Sequence, residues 1–441
     1  MPMLAPALLF GKLVHAVTPR GGERGSAAGN AALVLCPDLY SRLKFRGEIL
    51  MITGSDGKSS VAAMCAHMLR AAGKRVIANY RGTGHSGATT SELVAAARLS
   101  GVVDCDYLVL EADGRTSDAV LSLAKPSIVV VTDLLSAHGP DSARTEAVNG
   151  LLSRAVGENT RLVLNAMDPA CSRLMPERER IYFDARDSLF FPRTCRNLVN
   201  DGRLCPACHH RLDYEYVLYH HIGRFSCPHC GISSPEARYS LTDFSLTEER
   251  CEVNGQSFRT SLASAHRFMN ITAAVAAVCE ALGCDVARAA ELYSGFRMPD
   301  EFFTEHIYFG RRFVELLCRA NNPVSFDRGL EYVAAQNETK TVLIYVNNKS
   351  NHGTVDVSWL YDVTFELLKD RAETFLCAGA RAKDVAVRLS YAGIRPGGIR
   401  CAESDAALPT LIADTRGPVY VLAEPQDARS VMRAIHAGGL A

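Results

Sequence analysis

The sequence has no net charge and no apolar run long enough to cross a bilayer, and each absence removes a class of function. Its 48 basic residues balance 48 acidic ones, so no global field draws the chain to nucleic acid or to an anionic surface. A spanning helix needs about 20 consecutive apolar residues, so no integral membrane segment is expected. The N-terminal MPMLAPALLFGKLVHAV has an apolar patch but no basic residue ahead of it, so no signal peptide is expected and the chain reads as cytoplasmic. Internal repeats and low-complexity tracts are also missing. Cysteine is plentiful, but fifteen is an odd number and most are scattered. That pattern excludes a disulfide framework and fits reduced thiols plus one metal site. What remains is 441 residues with 48% hydrophobic content. Single cores stop growing near ~250–300 residues, so a multidomain enzyme is the expectation.

Five apolar segments in the first half read as buried parallel strands: EILMITG (48–54), RVIANY (75–80), DYLVLEAD (106–113), SIVVVTD (127–133) and RLVLNAMD (161–168). They are too continuous for strands with one wet face. Between the first two, Val61, Met64, Cys65, Met68 and Leu69 share one face of a helix that Gly73 stops. Strand, helix, strand at this spacing predicts a doubly wound α/β sheet. Residues 195–235, rich in Cys, His and Tyr, break the rhythm and read as an inserted module. AHRFMNITAAVAAVCEALG (265–283) restores a helical pattern. A second, smaller Rossmann-like α/β unit follows, with strands TVLIYVNN (341–348), ETFLCAG (373–379) and VYVLAE (419–424) and helices near 358–369, 381–392 and 425–437. The boundary falls near Gly295–Asp300, giving units 1–298 and 299–441.

ILMITGSDGKSS (49–60) places an apolar strand, a glycine-bounded turn and Lys-Ser at a helix start. Gly54 and Gly57 let backbone N–H groups approach phosphate, Lys58 supplies a point charge, and the hydroxyl of Ser59 or Ser60 can reach Mg2+. The spacing is shorter than the usual G-x-x-x-x-G-K-S. Glu111 and Asp113 end a strand at the carboxyl edge, where ligands of open α/β sheets sit. Glu111 is the expected magnesium carboxylate, against the alternative of a solvated acidic pair. Cys205-Pro-Ala-Cys208 and Cys227-Pro-His-Cys230 are two knuckles spaced for closed, four-thiolate Zn2+ ligation, a structural zinc ribbon without catalytic function. A redox dithiol would not explain two such pairs. The connecting EYVLYHHIGRF has one Arg and no basic run, so no nucleic acid is expected. His209, His210, His220, His221 and His229 read as bystanders, and the scattered cysteines mostly as small core residues.

These residues together resemble the Mur ligase family. The strand–TGSDGKSS–helix is similar to its G-[TS]-[ND]-G-K-[TS] loop, and Glu111 falls where its magnesium glutamate lies. His266-Arg267-Phe268-Met269-Asn270 resembles the H-N-x-x-N helix start that recognises adenine, with Asn270 at the second asparagine. LNAMDP (164–169) resembles L-N-A-D-D-P, with Asp168 at its second aspartate. The inserted cysteine module and NNKSNHGTVDVSWLYDVTFE (347–366) narrow the resemblance to the MurT-type branch, the ligase subunits of lipid II isoglutaminyl synthase. The segment from Gly11 to Asp38 resembles that branch's N-terminal lead-in more loosely.

The resemblance implies a glutamine-dependent carbon–nitrogen ligase. ATP with Mg2+ would phosphorylate the α-carboxylate of D-glutamate in the stem peptide of lipid II, and ammonia would displace phosphate to give D-isoglutamine. Lys58 would serve catalysis. Ammonia would come from a GatD-like class I glutamine amidotransferase in a heterodimer, with Asp356 completing that partner's Cys–His pair and Asp362 as the alternate. Otherwise Asp356 caps the helix start V-S-W-L-Y. The enzyme would work at the inner membrane face through its lipid-linked substrate. The sequence also departs from the family: TDLLSAHGP (132–140) replaces N-x-F-R-D-Q-L-D-R-Y-G-E, Arg267 the first adenine asparagine, and Asn321-Asn322-Pro323 the K-N-P. NNKSNHG likewise lacks two acids, at Asn348 and His352. Two alternatives therefore stay open: an amino-acid ligase acting on another carboxylate, and a non-catalytic nucleotide-binding scaffold.

Overall fold

The structure is a computed structural model; it describes residues 3–18, 26–79, 86–113, 116, 118–135, 141–186, 192–261, 264–297, 303–318, 322–347 and 356–438. Most of NNKSNHG, the end of TDLLSAHGP and the 298–299 division lie outside the described residues.

The chain opens with three helices, α1 (Leu4–Val17), α2 (Ala27–Leu35) and α3 (Leu39–Arg42). Strand β1 (Lys44–Thr53) then feeds α4 (Lys58–Ala71), β2 (Val76–Ala78), α5 (Ser86–Ala96) and β3 (Val102–Glu111). After them come α6 (Asp118–Leu121), β4 (Ile128–Val131), α7 (Asp141–Ala155), β5 (Arg161–Asn165) and β6 (Arg180–Ala185). The cysteine-rich segment follows, with its hairpin β7 (Asp213–Tyr219) and β8 (Ile222–Ser226). The chain then returns to the sheet through β9 (Tyr239–Ser245), β10 (Arg250–Val253) and β11 (Gln256–Arg259), and continues into α8 (Ala265–Leu282) and α9 (Val286–Tyr293).

These strands form a nine-stranded sheet in the order β11-β10-β9-β6-β5-β4-β1-β3-β2. It is parallel from β2 to β9, and β10 and β11 close it antiparallel. The apolar runs are continuous because both faces are covered. Along β1, Leu50 and Ile52 pack under α4 and α8, while Ile49 and Met51 pack on the other face with α1, α5 and α7. All five anticipated strands are present, with RVIANY contributing only three residues. Gly73 ends α4 in the left-handed region, its N–H bonded to Arg70 O.

The second half is a six-stranded sheet, β12-β13-β17-β14-β15-β16. It comprises β12 (Phe303–Tyr308), β13 (Arg311–Leu317), β14 (Thr341–Tyr345), β15 (Thr374–Ala378), β16 (Ile399–Cys401) and β17 (Val419–Ala423). Helices α10 (Pro323–Ala335), α11 (Ala382–Tyr391), α12 (Leu408–Ala413) and α13 (Pro425–Gly438) cover it. One expectation fails: 358–369 is not a helix but two 3-10 turns, Ser358–Tyr361 and Phe365–Leu368. β-branched and aromatic residues weaken helix formation there. Tertiary contacts finish it, because Trp359, Leu360, Val363, Phe365 and Leu368 are all buried and a single helix face could not bury them together. Among the scattered cysteines, most are buried as expected, but Cys401 is exposed and Cys284 half-buried; of the two that the pattern leaves open, Cys195 is half-buried and Cys318 buried.

Candidate active site

The loop after β1 is shaped by close approach. Gly54 has φ +131°, and a Cβ there would stand 2.2 Å from Thr132 Oγ1. At Gly57, φ +77°, a Cβ would meet Asn270 Oδ1 at 2.3 Å. Both positions therefore exclude side chains sterically as well as conformationally. The loop hangs from β4's extension: Ser55 N–H donates to Asp133 O at 2.9 Å, Asp56 N–H to Asp133 Oδ1 at 3.0 Å, and Thr132 Oγ1 to Asp56 O at 2.5 Å. Lys58 curls back over it, its Nζ donating to Gly54 O (2.8 Å) and Ser55 O (3.0 Å). The ammonium thus stands at the mouth of the loop, at the N-terminus of α4.

The two serines separate. Ser60 is buried and accepts a hydrogen bond from Arg267 Nη1 at 3.0 Å, whereas Ser59 is half-exposed. Arg267 thus takes up a role in the loop's support where the family asparagine is missing. Burial, and then the charge of Arg328, lowers its guanidinium to about 10, still charged near neutrality. Asn270, anticipated as an adenine contact, stands against Gly57, and its Nδ2 donates to His266 Nδ1 at 3.2 Å. The neutral ring therefore carries its proton on Nε2, which faces Asp56 Oδ2 (3.7 Å) and Asp133 Oδ2 (3.8 Å). Burial, then the nearby Arg328, drives His266 down to about 3. Burial, then the Asp56 charge, pushes the Asp133 carboxyl up to about 7.

Glu111 lies beside the loop because β3 pairs with β1, Ile52 opposite Glu111. Its backbone is bracketed by Asn79, which accepts from Glu111 N–H (2.7 Å) and donates to Glu111 O (3.0 Å). Asn79 sits in the expected strand RVIANY, where no local pattern marks it as a partner of Glu111. Within TDLLSAHGP, the segment that departs from the family pattern, Thr132 and Asp133 hold the loop. Asp168 is fully buried and accepts from the N–H groups of Leu134, Ala170 and Cys171, with His221 Nε2 at 3.6 Å. Burial opposes ionisation, but His221 and these amides outweigh it and hold the carboxyl below its usual range. His220 is buried as well, its Nε2 3.8 Å from Asp327 Oδ2.

The four knuckle cysteines converge. Cys205 Sγ and Cys230 Sγ are 3.6 Å apart, Cys208 Sγ and Cys227 Sγ 3.5 Å, and all four sulfurs lie within 4.8 Å of one another. Backbone N–H groups of Cys230 and His229 help lower Cys227 to about 6. His210 and His229 stack beside the cluster at 3.5 Å, and a Cys208–His210–His229 group also lies within 4.8 Å.

Asp356 is exposed, Oδ1 accepting from Ser358 N–H (2.8 Å) and Oδ2 from Ser358 Oγ (3.0 Å); Asp362 is half-buried. The Asp356 contacts make an Asx-type turn ahead of a 3-10 turn, where a helix cap was the anticipated alternative.

Two parallel-rich sheets in this order, with the loop at the carboxyl end of β1, define a Mur ligase-like α/β protein. Residues 52–186 match the Mur ligase middle domain and residues 320–424 the MurT ligase C-terminal model. The chain is 25% identical to the lipid II isoglutaminyl synthase (glutamine-hydrolyzing) subunit MurT of Staphylococcus aureus (strain COL), over 88% of both chains. It is also 25% identical to the subunit so named from Streptococcus pneumoniae, over 88% of this chain and 86% of the relative. In fold it is similar to a pseudomurein peptide ligase type C from Methanothermus fervidus, with TM-score 0.67 and 14% identity over 90% of this chain and 81% of that one. It is likewise similar to the MurF ligase of Thermotoga maritima in complex with ADP, with TM-score 0.61 and 15% identity over 93% and 84%. The chain thus carries a Mur ligase middle-domain segment and a MurT-type C-terminal segment, and is similar to subunits named MurT along most of its length.

Proposed function

We propose that the chain is the ligase subunit of a glutamine-dependent amidotransferase that amidates a lipid II-type peptidoglycan precursor at the α-carboxylate of D-glutamate, giving D-isoglutamine. The observation that carries this reading is the MurT-type match over residues 320–424, joined in one chain to a glycine-bounded loop with Lys58 at its mouth.

A carboxylate does not react with ammonia until one oxygen becomes a leaving group. In this reading the carboxylate attacks the γ-phosphorus of ATP, ADP departs, and the resulting acyl phosphate is attacked at carbon by ammonia with loss of phosphate. Loop N–H groups and Lys58 would hold the phosphates and spread the charge developing on the transferred group. Mg2+ would neutralise phosphate charge; Ser59 and Glu111 are the residues to hold it, because the Ser60 hydroxyl is taken up by Arg267. Asn270 and Arg267 act here as supports of the loop.

The sulfur cluster fits Zn2+: ligands ~2.3 Å from a tetrahedral ion stand roughly 3.8 Å apart, near the separations found. Four thiolates leave no open position, which argues for a structural ion. The exposed Asp356 carboxylate is the better placed of the two acids to meet a histidine of a GatD-like glutaminase, where it would fix the tautomer and stabilise the imidazolium. Among the described residues no single helix is long and apolar enough to cross a membrane. In this reading the enzyme meets its lipid-linked acceptor at the inner membrane face.

The test is amidation by the purified chain with magnesium-ATP and a lipid II-type acceptor. Nitrogen is supplied either as ammonium or as glutamine with a glutaminase partner, and the product is read by mass spectrometry. Conversion of carboxylate to amide is expected. ATP binding without conversion of any acceptor would overturn the reading in favour of a nucleotide-binding scaffold.

A further inference from the structure

Two adjacent residues of α10 hold three separate parts of the molecule. Arg328 Nε stands 2.8 Å from Asp56 Oδ2, so a cation from the second sheet's layer meets the phosphate loop of the first. Asp327 is fully buried and turns the other way. Its Oδ1 accepts from Thr364 N–H (2.7 Å), and its Oδ2 from Thr364 Oγ1 (2.8 Å) and Asn197 Nδ2 (3.0 Å). Thr364 Oγ1 in turn accepts from Leu198 N–H (3.0 Å), and Asn197 Oδ1 from His220 N–H (3.0 Å). Earlier on the same helix, Val324 packs into the core beneath α4 and α8. The loop, the lead-in to the cysteine cluster and the 356–366 segment therefore meet on α10.

The energetics make these contacts stiff. A buried carboxylate stripped of its donors keeps its full desolvation cost, so Asp327, Thr364 and Asn197 move as one group. At the loop, Asp56 lies against the buried Asp133, its N–H bonded to Asp133 Oδ1, and Arg328 offsets the charge of the Asp56 carboxylate. The loop cannot shift its Asp56 edge without changing this ion pair, and α10 cannot shift without carrying Thr364.

We propose that Arg328 is a positioning residue that couples the phosphate loop to the 356–366 segment, so that nucleotide occupancy is felt where the partner would dock. This rests on the nucleotide and partner readings above.

The experiment is hydrogen–deuterium exchange on the full chain with and without magnesium and a β,γ-imido ATP analogue, alongside the amidation rate. In the wild type, slower exchange is expected at both 54–60 and 358–368. Arg328→Ala should bind the analogue with less than about tenfold loss, as for a partly exposed ion pair. It should keep the response at 54–60, lose it at 358–368, and amidate with a lower kcat at little-changed KM for ATP. Arg328→Lys, which keeps the charge, should restore part of the response; Asp56→Asn should reproduce the loss from the loop side. A response at 358–368 that survives in Arg328→Ala and Asp56→Asn overturns the coupling, as does a wild type that binds the analogue with no response there. A wild type that binds no analogue overturns the nucleotide reading itself and the coupling with it.

Discussion

At Gly57 one methyl group decides whether the loop can close, since a Cβ there would overlap the carboxamide of Asn270. The glycine and Lys58 are legible in the sequence because the loop is local and its chemistry is written in consecutive residues. Lys58→Ala should abolish ATP-dependent amide formation while leaving the thermal midpoint within a few degrees, since the side chain is only half-buried; an active variant would remove Lys58 from phosphate binding. Asp133 was not legible, because its burial comes from distant chain. Its carboxyl is pushed up to about 7 by burial and then by Asp56, so the folded state holds a proton that the unfolded chain releases near pH 4. Stability at this site is therefore greatest below the unfolded pKa and is lost as pH rises toward 7. Asp133→Asn keeps the acceptor for Asp56 N–H and removes the titration. Thermal midpoints at pH 5 and pH 7.5 should then differ less in the variant than in the wild type, and an unchanged difference would refute the assignment.

The segment from Asp356 to Leu368 shows the limit of reading elements from pattern. A helix is expected near 358–369, but the segment folds as two 3-10 turns because Trp359 packs on Phe326 of α10, ring centroids 5.0 Å apart, while Asp327 holds the Thr364 backbone. Local propensity was weak and tertiary partners overrode it. Trp359→Ala should cost about 3–5 kcal/mol of unfolding free energy, seen in denaturant titration. Asp356→Asn, on an exposed turn, should leave stability nearly unchanged. It should lower glutamine-driven amidation and spare the ammonium-driven rate; equal loss with both nitrogen sources removes it from the relay.

Over the whole molecule, the cysteine segment is inserted between two strands of the first sheet and tied through Asn197 to the second sheet's helix α10. Metal bound by its four sulfurs would therefore stabilise more than the knuckles themselves. Cys205→Ser is expected to lower the zinc content of the purified chain from about one ion per molecule and to lower the thermal midpoint. Unchanged metal content by atomic emission would refute the four-cysteine site.

By itself the sequence determined the parallel strands, the glycine-bounded loop with Lys58, Glu111 at the neighbouring strand end and the four cysteines. Each is set by short-range periodicity or by ligand spacing within a few residues. The tertiary structure alone decided that Arg267 occupies Ser60, that Asn79 brackets Glu111, that His220 and His221 lie buried beside carboxylates, and that Arg328 reaches Asp56. The physical reason is the same throughout. A buried charge or amide must find its partner wherever the fold brings one, often more than a hundred residues away, and that distance leaves no periodic trace in the chain.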